Sequence, residues 1–354
     1  MFLTGIGTAT PATRYTQAQC HEALQRSPQY ARLGRPGRAL LQRLLSRSNG
    51  IDMRALALDP LDEAFLAEPD VLHRRFARHA PQLAAAAARE ALREAACDAR
   101  EIDGVIVSTC TGYLCPGLTS YVIEALNLRA DAIALDLVGQ GCGAALPNLR
   151  TAEAYIASGR ADRMLSICVE VCSAAFYIDD DPGVLVSACL FGDGAGAAVV
   201  SRDRVPGRAC AQWRAAETLT DPAHRDALRF ETREGMLRNI LTPAVPDLAA
   251  EYAERVLDDV LRREGLTREA IRTWIWHAGG RTVLEALQRR LGLDPEHVKH
   301  SAEVLRELGN VSSACVYFVL QRALRNGCAP GWWWMSSFGA GFTCHGALLD
   351  VRAA

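Results

Sequence analysis

The sequence has no apolar run approaching about 18 residues, so nothing in it reads as a membrane-spanning helix. Neither charge is in excess. Thirty-nine basic side chains against 41 acidic ones leave a net charge of -2, which gives no electrostatic reason to bind nucleic acid or an anionic bilayer, although peripheral membrane contact stays open. The opening MFLTGIGTATPATRYTQ has no charged leader and meets Pro and Arg before an apolar run of signal length accumulates, so a cytoplasmic location is expected. The 12 cysteines lack the two-residue hook of a zinc site; the nearest pairs are Cys168 with Cys172 and Cys110 with Cys115. In apolar surroundings and without a leader they are expected to be reduced thiols that hold no metal.

What is present suits a large α/β enzyme. At 354 residues and 49% hydrophobic, the chain is long enough for two fused halves of domain size, placed at 1–201 and 202–354. The first hundred residues read as helical and end in an Ala-rich stretch from Pro81 to Ala99. Strands and helices then alternate: strand Ile102 to Thr109, helix Ser120 to Leu126, strand Ala132 to Val138, helix Ala144 to Ser158, strand Met164 to Val171, and a turn into a strand over Leu190 to Ser201. A polar, Arg-rich stretch to about Pro246 is expected to separate the halves. Beyond it the pattern predicts helices over Asp247 to Glu264, Thr282 to Leu291 and Ser312 to Arg325, and strands over Thr273 to Trp276, Trp332 to Ser337 and Phe342 to Val351. Such alternation implies crossover connections and mostly parallel mixed sheets covered by helices.

One cysteine stands out by position. ALDLVGQGCGAALPNLRTAEAY places Cys142 just after a strand and just before a helix, where unpaired N–H groups and the helix dipole favour a thiolate. Gly141 and Gly143 suit a sharp turn with close substrate approach. A small buried cysteine at a tight helix start would look the same. Among the eight histidines, His277 ends the apolar strand TWIWH and precedes Ala-Gly-Gly, so its ring should project from the carboxyl edge of the sheet, either as a site residue or as a strand-end cap. Asn310, in ELGNVSSACVYFVLQ, sits at a turn opening an apolar helix. It reads equally as an N-cap and as an amide donor which, with an imidazole, could steady an enolate oxygen.

The chain resembles the type III polyketide synthases, the chalcone and stilbene synthase family, over nearly its whole length. Five segments match that family's motifs in order: QGCG at Gln140 to Gly143, LFGDGAG at Leu190 to Gly196, WHAGG at Trp276 to Gly280, GNVSSA at Gly309 to Ala314 and SFGAGF at Ser337 to Phe342. The resemblance implies a thiolase-type fold, a homodimer and a triad of Cys142, His277 and Asn310. It also implies a gating aromatic at Phe191 and a cavity lined by Ser312, with no cofactor. The expected substrates are malonyl-CoA and an acyl thioester carried on CoA or on an acyl carrier protein.

Within the family, VEVCSAAFYIDDDPGVLVSACLFGDG and WWWMSSFGAGFTCHGALL are most similar to bacterial alkylresorcinol and alkylpyrone synthases, which take a long fatty acyl primer. By the same resemblance Arg43 and Arg47 match two of three basic residues that hold CoA phosphates, and the third position falls on Leu40. The family's polar cavity threonine becomes Ala175 and its neighbour Cys172, the second gating phenylalanine becomes Arg238, and Trp276 is expected to restrict how the polyketide folds. The readings kept beside this one are an alkylpyrone-only synthase, a single-condensation enzyme like the initiating ketoacyl-carrier-protein synthase, and a catalytically dead binding protein.

Overall fold

The computed structural model describes residues 1–46, 49–205 and 210–352, which fold around one mixed nine-stranded sheet. The strands are β1 (Phe2–Ala9), β2 (Arg14–Thr16), β3 (Met53–Ala55), β4 (Gly104–Ser108), β5 (Ile133–Leu137), β6 (Arg163–Glu170), β7 (Gly194–Ser201), β8 (Cys210–Thr220), β9 (Leu228–Arg233), β10 (Met236–Leu241), β11 (Ile271–Trp276), β12 (Gly331–Gly339) and β13 (Thr343–Arg352). The large sheet runs in the order β11-β12-β13-β8-β1-β7-β6-β4-β5, while β2 with β3 and β9 with β10 form separate antiparallel pairs.

This order contains a repeat that the residues themselves do not show. From the middle outwards, β1-β7-β6-β4 on one side and β8-β13-β12-β11 on the other are matched in direction as well as order: antiparallel, antiparallel, then parallel. The parallel ladders lie at the two ends and the antiparallel ones between, so the sheet is more mixed than strand–helix alternation alone predicts. At the centre, β1 and β8 pair only through Phe2 with Gln212 and Leu3 with Ala211.

Two expectations are corrected here. The first hundred residues are not simply helical, because they begin with β1 in the middle of the sheet. The stretch up to Pro246 is not a separator either: it holds β8, whose half-buried face accounts for its polar residues, and the β9–β10 hairpin. The remaining predicted elements form within a few residues of the expected bounds.

Two helices carry the interior. Ala145–Ala157 touches β4 and β6 from one half and β12 and β13 from the other, while Cys315–Arg325 touches β1, β7, β11 and β12. Buried polar groups pin both helices. Asn148 Nδ2 donates to the carbonyls of Ile106 (3.3 Å) and Ile167 (3.0 Å), and the Tyr317 hydroxyl lies 2.7 Å from Ser166 Oγ. Among the described residues no helix is long and apolar enough to cross a membrane.

Candidate active site

The strand–turn–helix joint after β5 carries Cys142. Gly141 takes φ +56°, a conformation side chains disfavour, and Ser337 Oγ donates to the Gly143 carbonyl at 3.0 Å, fixing the turn against β12. His277 directly follows β11, its N–H bonded to Ser336 O at 2.9 Å. Asn310 follows the helix Lys299–Leu308 and is held from both sides of its backbone: its N–H donates to Leu190 O (3.0 Å) and its carbonyl accepts from Gly192 N–H (3.0 Å). The Asn310 side chain is also fixed, with Oδ1 accepting from Ser312 N–H at 2.8 Å and Nδ2 donating to Gly279 O at 3.1 Å. That leaves the amide one further N–H to give.

These three side chains face one cavity. Cys142, His277 and Asn310 line one cavity of about 320 Å³ together with Phe191 and Phe338, and it opens beside Leu44, Asn49, Arg281 and Thr282. The His277 ring meets Phe338 edge to face at 6.5 Å.

The charge state corrects one expectation. Burial pushes the Cys142 thiol up to about 12, so the resting nucleophile is a thiol despite its place at a helix start; desolvation outweighs the lowering by the Ser312 hydrogen bond. Burial likewise lowers His277 to about 4, leaving a neutral imidazole whose Nδ1 has no protein partner among the described residues. A neutral thiol and a neutral base lining one cavity remain a workable pair, provided the proton can pass from sulfur to imidazole as the substrate arrives.

A second pocket, about 30 Å³, lies on the other side of Cys142, Phe191 and Ser312, with Cys172, Ala175, Phe176, Val184 and Leu237 in its wall. It shares Thr111, Phe230 and Leu237 with a larger cavity of about 640 Å³. Arg238 also reaches the narrow pocket, but its guanidinium is held by Asp179 (3.0 Å), Asp181 (3.1 Å) and Glu231 (2.7 Å), which ties the β9–β10 hairpin to the helix Pro182–Leu190.

Other expected residues fall outside the cavities. Trp276 is fully buried and stacked on Trp274 at 5.5 Å, and it lines none of the described cavities, so it packs as a core residue. Arg43 is exposed on the helix Arg35–Ser46, whose Leu44 borders the cavity opening, and Arg47 lies outside the described residues.

Three residues escaped the sequence reading. Phe338 and Phe230 are aromatic walls, one inside a quoted motif and one in a segment read as a separator. The third is Glu170, fully buried at the end of β6. Its carboxylate accepts from Thr111 Oγ1 (2.9 Å), Cys110 N–H (3.1 Å) and Ser313 Oγ, and burial raises its pKa. Ser312 Oγ stands 3.3 Å from both Glu170 Oε1 and Cys142 Sγ, and Ser312 takes φ +50°, a strained conformation that places its hydroxyl between them. A carboxylate closing an apolar strand was the one available signal.

Comparison with known proteins identifies the family and the fold. Residues 9–251 match the family model described as FAE1/type III polyketide synthase-like protein, and residues 214–352 match chalcone and stilbene synthases, C-terminal domain. A 3,5-dihydroxyphenylacetyl-CoA synthase of Streptomyces toyocaensis is 30% identical, covering 98% of this chain and 89% of its own. An alpha-pyrone synthesis polyketide synthase-like protein of Mycobacterium tuberculosis is 29% identical over 89% of this chain and 84% of its own. The crystal structure of 1,3,6,8-tetrahydroxynaphthalene synthase from Streptomyces coelicolor covers 100% of both chains with a TM-score of 0.91 at 24% identity, which bears out the expected thiolase-type fold.

Proposed function

The chain belongs to the type III polyketide synthases of the chalcone and stilbene synthase family, which are condensing acyltransferases, and from there we propose that it extends a long-chain fatty acyl thioester with malonyl-CoA and closes the product to an alkylresorcinol, with alkylpyrones as by-products. The observation that carries this reading is that Cys142, His277 and Asn310 line one cavity of about 320 Å³, with a narrow pocket of about 30 Å³ bordered by Cys142, Cys172 and Ala175 where the tail would have to widen a path.

The chemistry follows from the groups present. Cys142 sulfur attacks the primer thioester as its proton passes to His277, and CoA thiol leaves. Malonyl-CoA then enters from the side of Leu44, and the His277 ring and the free Asn310 N–H hold its thioester oxygen. Loss of CO2 leaves an enolate there, which attacks the acyl group on Cys142 and releases the sulfur for the next round. By the family resemblance, Arg43 and Arg47 hold CoA phosphates. Phe191, shared by both pockets, gates the step at which water must be kept from the enolate.

The tail of the primer runs past Cys172 and Ala175. Each buried methylene contributes about 0.8 kcal/mol, so several added carbons outweigh most polar differences between primers. The enzyme works as a homodimer in which each chain is built from halves 1–201 and 202–354, with the primer arriving on CoA or on an acyl carrier protein. A second reading, closure by lactonisation alone, is favoured by the relative named for alpha-pyrone synthesis.

The deciding experiment supplies purified protein with malonyl-CoA and acyl-CoA primers from short to long, then identifies the products by mass. Long saturated primers are expected to compete best and to yield mainly resorcinols. A preference for short aromatic primers overturns the primer assignment, and pyrones alone establish the second reading.

A further inference from the structure

Arg54 lies on β3, remote in sequence from every motif, yet its side chain reaches the joint between the two strands of chain that carry Phe191 and Asn310. The residue is 96% buried (4% exposed), and among the described residues no carboxylate lies within ion-pair distance of it. A buried cation without a counter-ion is costly and persists only if something else neutralises it. Here the substitutes are backbone. Nη1 donates to Ala188 O at 2.6 Å, in the last turn of the helix Pro182–Leu190, and to Phe191 O at 3.2 Å, at its C-cap, where the negative end of the helix dipole favours a cation. The guanidinium carbon also sits 5.8 Å from the centre of the Phe176 ring, whose face attracts positive charge.

The segment that Arg54 grips is the one that fixes Asn310. Leu190 O accepts the Asn310 N–H and Gly192 N–H donates to Asn310 O, so Phe191 lies between two backbone bonds to that single residue. On the Asn310 side of the crossing the Arg54 stem packs against Gly309, where a Cβ would come within 3.1 Å of Arg54 Cγ and 2.8 Å of Leu190 O. Arg54 therefore touches both partners of the crossing, the Phe191 segment with its guanidinium and Gly309 with its stem.

We infer that Arg54 is a positioning residue for the condensation: it fixes the helix end bearing Phe191 and, through the paired backbone, sets where the Asn310 amide presents its free N–H. The inference rests on the oxyanion role assigned to Asn310 above. An ordinary buried hydrophobe would fill the same volume, but it would leave two helix-end carbonyls without a donor and the crossing free to slide.

The test compares full-length Arg54→Met, close in size and uncharged, with Arg54→Lys, which keeps a charge and a donor. Cys142 acylation by acyl-CoA is followed by intact mass and malonyl-CoA decarboxylation by CO2 release, with thermal unfolding recorded alongside. Arg54→Met is expected to lower kcat for decarboxylation about tenfold, as for a displaced rather than deleted donor, with KM for malonyl-CoA and the acylation rate within about twofold. Arg54→Lys should recover part of that loss. If the Met variant does not fold, the Lys variant carries the test, with a smaller kcat loss at unchanged acylation.

Equal loss in the two half-reactions, or no loss in either, overturns the inference. Asn310→Ala separates it from the reading beneath it. Unchanged decarboxylation in Asn310→Ala sinks the oxyanion role itself, whereas a collapse there beside normal activity in Arg54→Met sinks only the positioning role. If Arg54 acts through Asn310, the double variant loses no more than Asn310→Ala alone.

Discussion

The two halves of the sheet share one plan and use it for opposite chemistry. Each opens a buried helix through a single 3-10 turn: Gly141–Gly143 before Ala145–Ala157 in one half, Ser312–Ala314 before Cys315–Arg325 in the other. The first turn presents a nucleophilic sulfur, whereas the second is preceded by Asn310, a hydrogen-bond donor. The loops after the equivalent strands β4 and β11 differ in the same sense, one leading to hydroxyls and a thiol around Glu170, the other to His277. In the mechanism proposed above, attacking and donating groups thus come from different copies of one scaffold, and the proposed centre lies where the copies meet.

The sharpest way to break that contrast is Cys142→Ala, which should abolish both the covalent acyl-enzyme and all product, because no other thiol combines that turn with the cavity. Intact mass after incubation with acyl-CoA checks it, and a surviving adduct would move the nucleophile elsewhere. Next comes Trp276→Ala. If Trp276 belongs to the core and not to the site, the change costs about 3–5 kcal/mol of stability, read by denaturant unfolding, while the ratio of resorcinol to pyrone in the residual activity stays the same.

His277→Ala and Asn310→Ala test the donating half. Each should cut malonyl-CoA decarboxylation on the order of a hundredfold; iodoacetamide should label Cys142 at the parent rate in Asn310→Ala and more slowly in His277→Ala, since His277 also takes the thiol proton. Unchanged decarboxylation in both would remove the division of roles.

The smallest effect concerns pH, and here the halves have opposite signs. His277 and His345, both from the second half, are lowered to about 4 by burial. Their unfolded forms bind protons first, near 6.5, so each withdraws stability as pH falls from about 6.5 towards 4, on the order of 2 kcal/mol by pH 5. Glu170 and Asp193, from the first half, are raised by burial, so their contribution is complete at acid pH and is lost as pH rises. Unfolding of His345→Gln at pH 6.5 and pH 5 should show a shallower acid loss than the parent; an identical slope would mean that His345 does not titrate with folding.

How much of this could be read in advance varied with the kind of interaction. Cys142 and His277 were legible because a strand, a special residue and a helix start are neighbours in sequence, and Asn310 because turn and helix adjoin there. The middle strand β1 was not. Its FLTGIGTA has glycines where strands usually carry branched residues, and the reason lies some 80 residues away: a Cβ on Gly5 would come within 2.2 Å of Ala91 O, and one on Gly7 within 2.1 Å of Ala87 O. The Ala-rich helix Pro69–Ala95 and the Gly-bearing strand are two sides of one close contact, so each looks odd when read alone. Glu170 was missed for a related reason, since its partners at 109–111 and 312–313 converge only in space. The raised Cys142 pKa escaped because the sequence shows the helix start but not the depth at which it is buried.

The two central helices each lie against strands from both halves, and that limits what the repeat can be used for. A gene cut between the copies would not yield two small proteins, because each fragment would carry a helix with one apolar side bare and half of its intended bed missing. The repeat is a plan without portable parts. Grafting one half onto a relative should succeed only if the helix faces at the seam travel with it, since those faces, more than the brief β1–β8 ladder, decide which two copies can share a molecule.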